Sequence, residues 1–161
     1  MGKKLPSLTI LRDTREKKGW YFEDASKPSS RLKIDGTVDI KLDSGDYAIQ
    51  GLEDKFIIER KAGLAELFNN YTPKSNRERF EREAERLRDI PHVYIIVESS
   101  LNEDLMRLSI PQMGRYGPPG KKVIQWLFEL EFEYGIQTIW AGDCAQSVAK
   151  ILFDRIGRMY L

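Results

Sequence analysis

Gly45-Asp46-Tyr47-Ala48-Ile49, followed by Phe56-Ile57-Ile58-Glu59-Arg60-Lys61, decides how this chain folds. Gly51 to Asp54 supply turn chemistry between the two runs, so they read as neighbouring strands. Apolar Phe56-Ile57-Ile58 makes the second strand internal, and its charged end must then be paired or functional. Side chains alternate along a strand, so Glu59 and Lys61 share one face while Arg60 points to the other. With Asp46 on the adjoining strand, two carboxylates and an ammonium converge on one small volume. Such carboxylates repel each other and gain most from a shared divalent cation, and a lysine beside them orients water or stabilises a charged oxygen. The arrangement suits metal-dependent phosphodiester cleavage. The competing reading is a Glu59–Lys61 salt bridge at a sheet edge.

Moving outward, Leu8 to Leu11 reads as a strand, residues 23 to 37 as loop-like with Arg31 to Ile34 open to a short helix or strand, and Val38 to Leu42 as a half-buried alternating strand. Together with Tyr47–Ile49 and Lys55–Glu59 this predicts a β-meander. A short helix is expected over Ala62–Asn70. A second is expected to Asp89, opened by a Ser75-x-x-Glu78 capping box, with Phe80, Ala84 and Leu87 as its apolar stripe. The pairs Arg77/Glu81 and Glu78/Arg82 would brace its exposed face. Val93 to Val97 is a continuous apolar run of strand length. Residues 107 to 120 form a proline- and glycine-rich loop, Lys121 to Tyr134 a helix, and Ile136 to Trp140 a strand. Asp143 would cap a final helix with Val148, Ile151, Leu152, Ile156 and Met159 on one side. Helices interleaved after a mixed sheet predict a three-layer α/β domain.

At 161 residues the chain is expected to be one domain, residues 1 to 161, able to bury a core without crosslinks. Hydrophobic content of 41% and charged content of 32% exclude a disordered chain. No apolar run approaches the roughly 20 residues of a membrane span, and no secretory signal follows the basic start, so an intracellular setting is expected. The lone Cys144 excludes an internal disulfide and a multi-cysteine zinc site. His92 is the single histidine, which removes most histidine-based catalysis, and it reads as structural. Net charge is +1, too small for a protein that coats nucleic acid by bulk attraction.

Asp13-Thr14-Arg15-Glu16 leaves the first predicted strand, where Asp13 and Glu16 would add carboxylates to the same pocket or else form a solvated turn. Gly114 to Lys122 fails as a phosphate loop, because Lys121 is followed by Lys122 rather than Ser or Thr. No nucleotide cofactor is indicated. Candidate contacts to nucleic-acid phosphates are Lys17, Lys18, Lys74, Arg77, Arg115, Lys121 and Lys122.

Asp13-x-Arg15-Glu16, Gly45-Asp46-Tyr47 and Ile58-Glu59-Arg60-Lys61, in this order, resemble the XPF/Hef/Mus-type structure-specific DNA endonuclease family. The resemblance continues through Arg79–Arg88, Tyr94–Val97 and Tyr134–Gly135 to Asp143. It implies a restriction-endonuclease-like fold and cleavage of DNA, branched or flap-like, in repair, recombination or replication. By resemblance Asp46 and Glu59 would hold Mg²⁺ or Mn²⁺ with Asp13 close by. Lys61 would contact the attacking water or the phosphate, and Glu16, Arg15 and Arg60 would complete and brace the pocket. The family's E-R-K-x-x-x-D pattern would end at Ala65 here, with Glu66 one residue later. Either an insertion near Gly63 restores the acid or the role is vacant. No helix-hairpin-helix or helicase segment is recognisable, so a stand-alone phage or prokaryotic form is implied. The alternative is a catalytically silent DNA-binding scaffold of the same fold. The apolar breadth of the Lys121–Tyr134 helix suggests a dimer, with a twin or a related subunit.

Overall fold

The computed structural model describes residues 6–22, 32–107 and 120–161. Its centre is a mixed six-stranded sheet in the order β2-β1-β3-β4-β5-β6. The strands are β1 (Ser7–Asp13), β2 (Lys33–Ile40), β3 (Tyr47–Ile49), β4 (Phe56–Lys61), β5 (His92–Val97) and β6 (Ile136–Trp140). β3 runs antiparallel to β1 and β4, and the remaining pairs are parallel. The helices are α1 (Leu64–Tyr71), α2 (Lys74–Leu87), α3 (Glu103–Arg107), α4 (Gly120–Tyr134) and α5 (Ala145–Tyr160). Among the described residues no helix is long and apolar enough to cross a membrane.

Strand alternation sorts the core into two layers. Ala48, Ile57, Val93, Ile95 and Val97 face α1, α2 and α4. Tyr47, Ile49, Phe56, Ile58 and Ile96 face α5 and the aromatic pair Trp20 and Phe22. Phe153 of α5 is fully buried with its ring edge-on to Phe22 and Phe56. Burying a side chain of this size stabilises the fold by about 2–3 kcal/mol. His92 is structural: its Nε2 lies 3.0 Å from the Tyr160 hydroxyl and ties the entry of β5 to the end of α5.

Several local expectations are corrected. The meander is only β3–β4, because β1 lies between β2 and β3. β2 is an edge strand parallel to β1, and Val38 and Ile40 stay exposed rather than half-buried. α2 begins two residues earlier than the supposed capping box would place it, with Pro73 rather than Ser75 at the N-cap position and no side-chain cap. Its ion pairs are Lys74–Glu78, Arg86–Glu83 and Arg88–Glu85; Arg77 instead stacks on the Tyr71 ring, and Glu81 accepts from Trp126 Nε1. Asp143 lies in a 3₁₀ turn, Gly142–Cys144, and caps nothing. α5 packs through Ala145, Ala149, Phe153, Ile156 and Gly157, leaving Ile151 and Met159 outside. Small residues let this helix approach the sheet closely, so its packing face is less apolar in sequence than its flank. The loop expected over 107 to 120 lies almost wholly outside the described residues.

Gly45 shows how tightly the sheet is drawn where Asp46 sits. Its φ is +78°, a region that favours glycine, and an added Cβ would lie 2.3 Å from Ile57 Cγ2. Gly45→Ala is expected to cost about 2 kcal/mol from backbone strain and overpacking. Urea unfolding checks this, and an unchanged midpoint would contradict it.

Candidate active site

Asp46 is fixed through both its backbone and its side chain. Asp13 N–H donates to its carbonyl at 2.8 Å, and its own N–H donates to Ile58 O at 2.9 Å. Arg60 N–H donates to its Oδ2 at 2.7 Å. These bonds set Asp46 beside the end of β4, where Glu59 lines the same cleft. Lys61 Nζ stands 3.6 Å from Glu59 Oε2 and 3.7 Å from Glu66 Oε1, with the Phe80 ring centre 5.6 Å away. The Glu59–Lys61 salt bridge therefore exists, with Glu59 lining a cleft and Lys61 buried beside it rather than standing at an open sheet edge.

The cleft has a volume of about 430 Å³ and is lined by Arg15, Gly45, Asp46 and Glu59 on the sheet side. Asn70 of α1 and Asn76, Arg79, Phe80 and Glu83 of α2 form the facing wall. Burial, then the charge of Glu59, pushes the Asp46 carboxyl up to about 8, against relief from the Arg60 N–H. Burial also raises Glu59, opposed chiefly by Lys61. Two adjoining half-buried carboxylates cannot both ionise freely, so the pair holds on to a proton more tightly than a solvated carboxylate would.

Asp13 does not join them as a free ligand. It is 1% exposed. Arg15 Nε and Nη2 donate to its two oxygens at 2.7 and 3.0 Å, and the Leu42 N–H donates at 2.9 Å. The Arg15 guanidinium, with backbone N–H groups, holds the Asp13 carboxyl down at about 2. Its work is to clamp the approach to Asp46. Among the described residues no group of three or more His, Cys, Asp or Glu is placed to hold a metal ion.

Arg60 and Glu16 stand on the opposite face, as strand alternation requires. Arg60 caps the Trp20 ring at 4.6 Å and is paired in a fork with Glu98. It also donates to Glu16 Oε2 at 3.2 Å and to Lys18 O at 2.8 Å, and the Tyr47 hydroxyl donates to the same Glu16 oxygen. This network braces β4 from behind. Glu66 reaches back, its Oε2 accepting from the Ala62 N–H at 2.8 Å, and so fixes the strand exit as well as Lys61.

Of the expected phosphate contacts, Lys17 and Lys18 are exposed after β1, and Lys74 and Arg77 open α2 near the cleft wall. Lys121 and Lys122 leave α4 beside the start of α1, since Gly120 packs on Leu105 and Leu64. Arg115 lies outside the described residues. The helical wall escaped the sequence reading. Its signal was present, because residues 76, 79, 80 and 83 follow the i, i+3, i+4, i+7 spacing of one helix face.

The ERCC4 domain matches residues 13–153 of this chain. Among solved structures, XPF from Aeropyrum pernix is similar with a TM-score of 0.57 and 20% sequence identity, over 94% of this chain and 64% of that one. The same protein in complex with DNA gives a TM-score of 0.56 and 20% identity, over 94% of this chain and 66% of that chain. This chain thus spans just under two thirds of either one. At this identity the likeness concerns the fold. No curated protein matches the chain.

Proposed function

The chain belongs to the ERCC4 domain family, and from that premise we propose that it is a divalent-metal-dependent DNA endonuclease acting at branched or flap-like DNA. The observation that carries this reading is the half-buried pair Asp46 and Glu59 lining an open cleft, with the buried Lys61 ammonium 3.6 Å from Glu59. Likeness to an XPF solved with DNA supports the substrate class.

The donor set fits Mg²⁺ or Mn²⁺. Two hard carboxylates with an elevated proton affinity gain from a cation that replaces the shared proton. Mg²⁺ is commonly held by one or two carboxylates, with waters and substrate phosphates completing its shell. Asp46 and Glu59 would hold it. When bound, the cation supplies Lewis-acid stabilisation of the phosphate and a lower pKa for a bound water.

The chain's own residues do the rest. The Arg60 N–H orients Asp46, so the carboxylate is preorganised without a side-chain donor in the cleft. Lys61 is held between Glu59 and Glu66, which fixes its ammonium beside the site where negative charge grows on phosphoryl oxygens. Phe80 excludes water from one side of it, which strengthens that interaction. In the hydrolysis proposed, an O–P bond to water forms, the bridging P–O bond breaks, and the proton lost by water ends on the departing oxygen.

A pH dependence follows. Cation binding must displace the proton held by the pair, so apparent Mg²⁺ affinity is expected to rise about tenfold per pH unit below the Asp46 pKa. That rise should level off near the Asp46 value of about 8. Cleavage rates at limiting Mg²⁺ across this range test it, and excess Mg²⁺ should restore activity at lower pH. A flat profile at limiting Mg²⁺ would contradict the assignment.

A further inference from the structure

We propose that Arg79, aimed by Asn76, grips a backbone phosphate of the bound DNA on the helical wall of the cleft, an inference that rests on the nuclease reading above. Arg79 lines the same cleft as Asp46 and Glu59 but from the facing helix α2. The other arginine of the cleft, Arg15, is neutralised by Asp13. The usual partner for Arg79 would be Glu83, one turn along the helix. Arg86 takes Glu83 instead. Among the described residues Arg79 shows a single side-chain partner, and that partner is neutral: Nη2 donates to Asn76 Oδ1 at 3.2 Å.

Asn76 is itself oriented, because its Nδ2 donates to Asn69 O at 3.0 Å. The relay from a backbone carbonyl through an amide to a guanidinium fixes direction without cancelling charge. A guanidinium carries five donors, and four here remain for a ligand. Its planar fork matches the two non-bridging oxygens of a phosphodiester. The opposite wall is acidic, which repels a phosphate. A cation fixed across the gap from those acids gives a strand its positive rail and sets how far it enters. Arg79 is thus a positioning residue, distinct from the groups at the scissile bond.

The test is anisotropy titration of a labelled flap duplex over a salt series, with chelator present so that no cut occurs. Wild type, Arg79→Gln, Arg79→Lys and the exposed control Arg82→Gln are compared after thermal melts confirm folding. Arg79→Gln is expected to weaken binding about tenfold and to lower the slope of log affinity against log salt by about 0.9, the value for one phosphate contact. Arg79→Lys should keep the slope and lose part of the affinity, because a point charge replaces the fork. Arg82→Gln should match wild type. With Mg²⁺ added, Arg79→Gln should raise KM and leave kcat within about twofold. An Arg79→Gln slope equal to that of a DNA-binding wild type overturns this inference alone. A wild type that binds no DNA overturns the nuclease reading and the inference with it.

Discussion

Asp46→Asn is expected to lose most of its cleavage activity and, at the same time, to melt at a higher temperature than wild type. The loss should reach about 10²-fold or more in kcat, the scale of removing one electrostatic stabiliser at a reacting centre. The stability gain follows from the direction of the pKa shift. The Asp46 carboxyl is raised from an ordinary 3.8 to about 8 by burial and by Glu59. The folded chain therefore holds a proton that the unfolded chain releases, and stability falls as pH climbs through that interval. At neutral pH the wild type carries this penalty, whereas asparagine cannot ionise and still accepts from the Arg60 N–H. The gain is set at about 2 kcal/mol, well below the full linkage value, because the site is partly open and shared with Glu59. It should shrink towards zero near the ordinary carboxylate pKa. Added Mg²⁺ should stabilise the wild type alone. Melting curves across pH, with and without Mg²⁺, decide it. An Asp46→Asn protein that melts lower than wild type throughout would refute the carboxylate-pair account of this site.

Arg60→Ala makes the opposite kind of variant, one that loses function by losing structure. Arg60 ties Glu98, Glu16 and the carbonyl of Lys18 to the back of β4 and covers the Trp20 ring. Its removal leaves two partly buried carboxylates without a counter-charge, at an expected cost of about 3 kcal/mol after allowance for their partial exposure. Arg60→Lys should recover only a fraction, since a lysine cannot form the fork with Glu98 while stacking on Trp20. Chemical denaturation gives the loss directly. Activity per folded molecule should stay within about tenfold of wild type, because the group that fixes Asp46 is the Arg60 backbone N–H, which any residue provides. A fully stable Arg60→Ala protein that is catalytically dead would place the guanidinium in the chemistry instead.

The contrast between these two residues shows what the sequence makes legible. Alternation along Phe56–Lys61 correctly sends Glu59 and Lys61 one way and Arg60 the other, because a strand's geometry is local and has a period of two. Which strand lies beside which is not local. β1 inserts between β2 and β3 through backbone pairing of residues far apart in the chain, and no turn signal reports that. Asp13 illustrates the same limit for the site. As a sequence neighbour of Arg15 and Glu16 it looks like a further ligand, but the fold surrounds it with the Arg15 guanidinium and the Leu42 N–H. The wall from Asn76 to Glu83 was hidden for another reason. Polar residues flanking an apolar stripe look the same whether they face solvent or a cleft, and only the placement of α2 across the cleft from the sheet separates the cases. The α5 face was misread because Ala145, Ala149 and Gly157 contribute close approach rather than hydrophobic bulk.

The most direct test of the central claim is Mn²⁺ binding followed by electron paramagnetic resonance, on wild type, Asp46→Asn and Glu59→Gln at a pH above 8. Wild type is expected to take up Mn²⁺ at one site, and each substitution should abolish that binding while the protein stays folded. Mn²⁺ held equally by all three, or by none of them, would contradict it.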